Sequence, residues 1–292
     1  MENVAWRILS RSGTTLPPTG EITFRIIVYK RKDATMELFN MPKEIAGGTV
    51  GRIVAGVFAM LVLVATGATA QTDMKTKYPK MAPIDEYLMN RDAEIVLART
   101  AAPEAISKDA TVLVLTGHGY ETAIKGANGF VCMVERGWTS NIDFPEIWNP
   151  KIRGADCLNP GAARSILPII YKLTQMALAG DSEKERIAGI QAAFAKKELP
   201  PLEPGAMGYM MSKESYLSDI PPASFSHVMF FLPTRKLDSE WGGLLPHVPL
   251  GTTSFWFSDP GHEYPQAQEL PPLRLMFIAV PTWSDGTPIT AK

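Results

Sequence analysis

The side chains with the widest chemical reach are few and scattered. His118 stands between Gly117 and Gly119 at the end of an apolar run, where bare backbone lets a ligand approach closely. Tyr120 and Glu121 follow it directly. Glu135 ends the otherwise apolar VCMVE and, at a period of two, shares a face with Val131 and Met133. His227 opens HVMFFLP on the face of Met229 and Phe231. Imidazole and carboxylate serve both as metal ligands and as proton carriers. Convergence of His118, Glu121, Glu135 and His227, with Tyr120 beside them, would bind a divalent metal or perform acid–base work. Each residue also has an ordinary reading. His118 is then an exposed turn residue, Glu135 the wet end of a strand or a partner of Arg136, and His227 a satisfied core or rim residue.

Other polar and aromatic positions say less. Tyr209, among Met207, Met210 and Met211, reads as core, because methionine fills irregular gaps. His247 and His262 read as surface. Trp138 and Trp148 flank Asp143-Phe144-Pro145-Glu146 and form either a pocket wall or ordinary packing. The chain carries no GxSxG elbow, HExxH helix, GxxxxGK[ST] loop, EF-hand loop, CxxC or CxxCH. It therefore specifies no cofactor and no metal. Gly117 to Thr122 half-matches GxGxxG. Only about ten residues then separate the strand from the Asn128-Gly129 turn, too few for the crossover helix that dinucleotide binding requires.

These residues must be held by elements that the pattern outlines. Pro83 to Thr100 has helical spacing, with Ile84, Tyr87, Leu88 and Ile95 on one face and Pro103 as its stop. ATVLVLT at 110–116 is the β-branched run of a strand buried on both faces. Residues 120–125 and 130–136 are two further strands, and Gly126-Ala127-Asn128-Gly129 between them is a hairpin signal. Asn159-Pro160 starts a helix that runs to about Leu178 and stops at Gly180, with Pro168 marking a kink or a second start capped by Ser165. Ser182 to Glu185 is a capping box that opens another helix, with Ile187, Ile190, Gln191 and Phe194 on one face. Short strands are expected at 207–212, 227–232 and 273–280. The Pro/Gly-rich excursion from Pro233 to Pro272 carries Trp241, Phe255 and Trp256, with a short strand at 252–257. The order predicts a single α+β domain over residues 71–292, an antiparallel sheet of about five to six strands covered on one face by about three helices.

The N-terminal region reads as an export signal. Lys43 and Arg52 precede the uncharged run Ile53 to Val64, and Ala68-Thr69-Ala70 offers small residues to a signal peptidase. Thr66, Gly67 and Thr69 cut the run short of the roughly 20 residues that a spanning helix needs. Residues 41–70 are thus the expected signal peptide, and residues 1–40 an over-extended or non-native segment. Cleavage leaves no stable membrane anchor and a periplasmic or secreted protein.

Removing 70 residues from 292 leaves 222, enough for one domain with a real core. That portion holds 21 basic and 25 acidic residues, a balance that does not suggest nucleic acid as a partner. The two cysteines, Cys132 and Cys157, form a disulfide in an exported protein, or else stay as two buried thiols.

RDAEIVLARTAAP at 91–103, GHGYETAIKGANGFVCMVERGW at 117–138, NP at 149–150, EPGAMGYMMSK at 203–213 and HVMFFLP at 227–233 resemble a family of uncharacterised exported bacterial proteins. The resemblance covers most of the mature chain. It implies a shared fold and export, and no activity. Three functions therefore remain as expectations: non-catalytic binding of a small ligand or partner, hydrolysis or metal-assisted chemistry, and an envelope structural role. Oligomeric state is left open.

Overall fold

In the computed structural model, the residues described are 77–236, 240, 250–257 and 270–289. The expected signal peptide, the 1–40 segment, Trp241, His247, His262 and much of the Pro/Gly-rich excursion lie outside them.

Strand β1 (Thr111–Thr116) is the buried apolar run expected of it. It turns through Gly117-His118 into β2 (Gly119–Ile124), with Thr116 opposite Gly119, and Gly119 takes a φ of 116° that a side chain would disfavour. The hairpin is therefore here and not at residues 126–129. β3 (Val131–Glu135) instead lies parallel to β1, on the side away from β2. Gly126 shows why. A β-carbon there would stand 2.2 Å from the carbonyl carbon of Ala110, so the Gly-rich segment crosses close over the start of β1. Asn128 ties the crossing down by donating from Nδ2 to the Ile106 carbonyl at 2.7 Å and accepting the Phe130 N–H at 3.0 Å.

The sheet continues through β4 (Gly154–Leu158), β5 (Met207–Met210), β6 (His227–Leu232), β8 (Arg274–Ala279) and β7 (Leu250–Ser254). Its order is β2-β1-β3-β4-β5-β6-β8-β7, and it is mixed, because the β1–β3 pair is parallel. The described residues thus hold eight strands and five α-helices where fewer of each were expected. β4 escaped the sequence reading because GADCL is buried throughout and shows no alternation. It brings Cys157 directly opposite Cys132, and the two are joined by a disulfide.

The expected helix over 83–100 is broken. A 3₁₀ turn (Ile84–Glu86) precedes α1 (Arg91–Arg99), because Asn90 adopts extended backbone and its side chain accepts the N–H groups of Asp92 and Ala93. α2 (Glu104–Ser107) is one turn. α3 (Pro160–Ser165) starts with Asn159 as cap, and α4 (Leu167–Ala179) is a second start. Ser165 does not cap it, since its hydroxyl donates to Gly161. Gly180, at φ 81°, ends α4 as expected. α5 (Glu183–Ala195) opens with the capping box of Ser182 and Glu185 and buries Ile187 and Ile190.

Helices cover both faces of the central strands, not one. Ala98, Ala101 and Ala102, in and just after α1, pack on Val112, Cys132, Val134 and Cys157. Ile166, Ile170, Leu173 and Ile190 of the α3–α5 layer pack with Leu113, Met133 and Leu158. The alternation of these strand residues places the two clusters on opposite faces. No helix among the described residues is long and apolar enough to cross a membrane.

Candidate functional site

A cavity of about 290 Å³ lies on the α3–α5 face of the sheet. Strand register brings three titratable groups to it. Met133 faces Asp156 across β3 and β4, and Glu135, two residues further, faces Gly154. Asp156 and Glu135 are therefore diagonal neighbours on one face, a relationship that sets Cα atoms about 7–8 Å apart. Cys157 pairs with Tyr209 in β5, and Met210 in turn pairs with His227 in β6. One row across β4, β5 and β6 thus carries Asp156, Met210 and His227, all lining the cavity with Glu135. Apolar groups dominate the rest: Phe144, Phe225, Met229, Phe231, Phe255 and Phe277.

Burial controls the electrostatics. Glu135 is pushed up to about 7 by desolvation, which contact with the Thr139 side chain opposes only in part. Asp156, 1% exposed, is raised well above the usual carboxylate range, first by burial and then by the neighbouring Glu135 charge. Its Oδ1 has no hydrogen-bond partner. Gly208 leaves the room it occupies, for a β-carbon there would stand 2.7 Å from that oxygen. His227, buried, is lowered by desolvation. Its Nδ1 lies 2.9 Å from the Phe225 carbonyl. A carbonyl only accepts, so Nδ1 carries the proton and neutral His227 presents Nε2 as an acceptor. The ring stacks on Phe225 at 4.1 Å between centroids.

Arg136 also borders the cavity, but its guanidinium is committed elsewhere. Adjacent strand residues point to opposite faces, and Arg136 does not pair with Glu135. It donates to Glu94 of α1 at 2.9 Å, to the Tyr87 carbonyl at 2.9 Å and to the Val134 carbonyl. Both members of the Arg136–Glu94 pair have fully buried side chains.

Of the expected cluster, Glu135 and His227 line one cavity from β3 and β6, three strands apart in the sheet, and His118, Tyr120 and Glu121 do not join them. His118 is exposed at the β1–β2 turn, and Glu121 is exposed beside it, accepting from Thr116 Oγ1 at 3.2 Å. Tyr120 donates its hydroxyl to the Val134 carbonyl at 2.8 Å, on the strand of Glu135 but outside the cavity. Burial raises its phenol. Among the described residues no group of three or more His, Cys, Asp or Glu is placed to hold a metal. Trp138 is core, fully buried against Tyr87 at 4.8 Å. Asp156 was missed. The signal that could have found it is the disulfide. A Cys132–Cys157 pair on neighbouring strands sets Asp156 beside Met133, on the face of Glu135.

A second carboxylate network holds the rim. Buried Glu146 accepts the Asp219 N–H at 2.9 Å, the Asn149 amide at 2.7 Å and the Ser218 hydroxyl. Burial would raise the Asp219 carboxyl, yet bonds from Lys151, Lys77, Tyr216 and Tyr78 outweigh it and hold the group far below its ordinary range. Every acceptor here is matched, so the network fixes the segment that delivers Leu217 and Phe225 to the cavity wall.

Compared with protein-family models, curated proteins and solved structures, the chain matches none.

Proposed function

We propose that the protein is an exported domain that binds a small, mostly apolar molecule in this cavity without transforming it. The observation that carries this reading is an aromatic and methionine-lined space of about 290 Å³ with a few polar groups gathered along one strand row. Ligand pockets are built this way, and the volume is at the lower end of their usual range. Export is part of the proposal, as is membership of the exported bacterial family that the motifs resemble. It is supported by the apolar run 53–64, by Ala68-Thr69-Ala70 and by the Cys132–Cys157 disulfide, a bond that persists in oxidising compartments.

The test is a native mass spectrum of the protein purified from a periplasm. A stoichiometric excess of small-molecule size is expected, lost in Met229→Trp, whose indole would fill the cavity. The denatured chain should begin at Gln71. No excess, together with an unchanged melting temperature across a panel of small aromatic compounds, would overturn the binding reading.

A second reading, acid–base hydrolysis, is favoured by one observation: Glu135 titrates at about 7 in the same cavity as His227. Turnover of an ester or amide probe that is lost in both Glu135→Gln and His227→Gln would establish it over plain binding.

A further inference from the structure

The titratable part of the cavity wall is two carboxyl groups and one imidazole, Glu135, Asp156 and His227. Asp156 Oδ1 is buried and unmatched, Glu135 lines the same cavity, and neutral His227, its Nδ1 proton given to the Phe225 carbonyl, keeps Nε2 as an acceptor. Among the described residues the one cation on the lining, Arg136, has donated to Glu94, Tyr87 and Val134. Asn141 has likewise donated its amide hydrogens to the Ser254 and Phe255 carbonyls, at 2.8 and 3.1 Å, which leaves its oxygen. Phe225, Phe255 and Phe277 line the same cavity, and the negative quadrupole of an aromatic ring also attracts positive charge. An anionic ligand would meet two carboxyl groups and, among the described residues, no uncommitted cation on the lining.

Resting on the binding reading above, we propose that the ligand is a small organic cation, an ammonium group on an aromatic or aliphatic body, with the nitrogen seated between Glu135 and Asp156 and the body against the phenyl rings.

The charge state of the free site supports this and sets a pH dependence. The groups that face the pair are Glu135 on β3, Asp156 on β4, His227 on β6, the Tyr120 phenol on β2, and the Arg136–Glu94 pair beneath them, with Arg153 nearby. Near neutral pH the two carboxyls retain protons because burial and mutual repulsion oppose ionisation. A cation reverses that balance. Its binding releases protons, and its affinity rises with pH.

The experiment is calorimetry on the full chain with three probes of nearly equal size: 2-phenylethylamine, ethylbenzene and 3-phenylpropanoate. The amine is expected to bind at least tenfold tighter than ethylbenzene, with no binding of the carboxylate. Between pH 5.5 and 8 its affinity should increase, and buffers of different ionisation enthalpy should report proton release at pH 7. Glu135→Gln and Asp156→Asn should each weaken the amine at least tenfold and leave ethylbenzene unchanged; thermal melts establish that both variants fold. Ethylbenzene binding as tightly as the amine overturns the cation assignment and leaves the cavity reading standing. Binding of none of the three also overturns the assignment, and the retained mass described above then decides whether the cavity reading falls with it. The proton-release measurement needs no variant, and uptake instead of release would equally overturn the proposal.

Discussion

Asp156 occupies the space that a side chain on Gly208 would need: a β-carbon there would stand 2.7 Å from Asp156 Oδ1 and 3.3 Å from Met229 Cε. Gly208→Ala must therefore displace a carboxyl that is 1% exposed. Overpacking of this kind costs about 1–3 kcal/mol. The urea midpoint should fall accordingly, and Asp156→Ala in the same chain should recover at least part of the loss. A double-mutant cycle with no coupling would show that the two positions do not compete for space.

Glu135 makes stability depend on pH in a direction opposite to that of a paired surface carboxylate. Its folded pKa, about 7, lies above its ordinary value of 4.5, so the folded state holds the proton more tightly than the unfolded chain. The contribution of Glu135 to stability is therefore full below about pH 4.5 and is lost as pH rises through about 7. Glu135→Gln removes the ionisation. Melting temperature should rise by at least a few degrees at pH 8 and change little at pH 5. A lower melting temperature at pH 8 would mean that ionised Glu135 is held by a positive partner.

The Glu94–Arg136 pair joins α1 to the residue that follows β3 at 2.9 Å, with both side chains fully buried. Glu94 Oε1 also accepts the Leu115 N–H at 3.2 Å. Glu94→Ala strands a guanidinium in the core, and loss of one member of such a pair costs about 3–5 kcal/mol. Replacing both residues by methionine should be markedly milder than either single truncation. Chemical denaturation of the three variants measures this.

The disulfide closes a loop with a sequence separation of 25 residues. In the chain-entropy account such a loop is worth roughly 3 kcal/mol. Cys132→Ser/Cys157→Ser should lose stability of that order, and wild type should shift by a similar amount on reduction. A reduced protein with an unchanged unfolding midpoint would contradict it.

Much of the local structure was legible in the chain. Asn159-Pro160, the Ser182 to Glu185 box and Gly180 mark helix ends through hydrogen bonds and dihedral preferences that span four residues or fewer. β6 and β8 follow from apolar runs between Pro, Gly and Ser. The chemistry of Glu135 and His227 was also visible, as polar residues on apolar faces. What local pattern did not contain was Gly126, whose glycine serves a close backbone crossing with residues 109–111 instead of a turn, so that β1 pairs with β3 in parallel and the sheet becomes mixed. Nor did it contain β4, where burial on both faces erased the alternation that marks a strand.

The same division holds for the site. Residue type alone determined that Glu135 and His227 were candidates and that Cys132 and Cys157 could join. Tertiary structure decided that His118 and Glu121 stand on an exposed turn, that Asp156 joins Glu135 and His227, and that Arg136 is spent on Glu94. The reason is physical. A cap or a turn is set by neighbours in sequence, whereas a cavity is set by which strands lie side by side, and that order is chosen by burial of the central strands between helices on both faces.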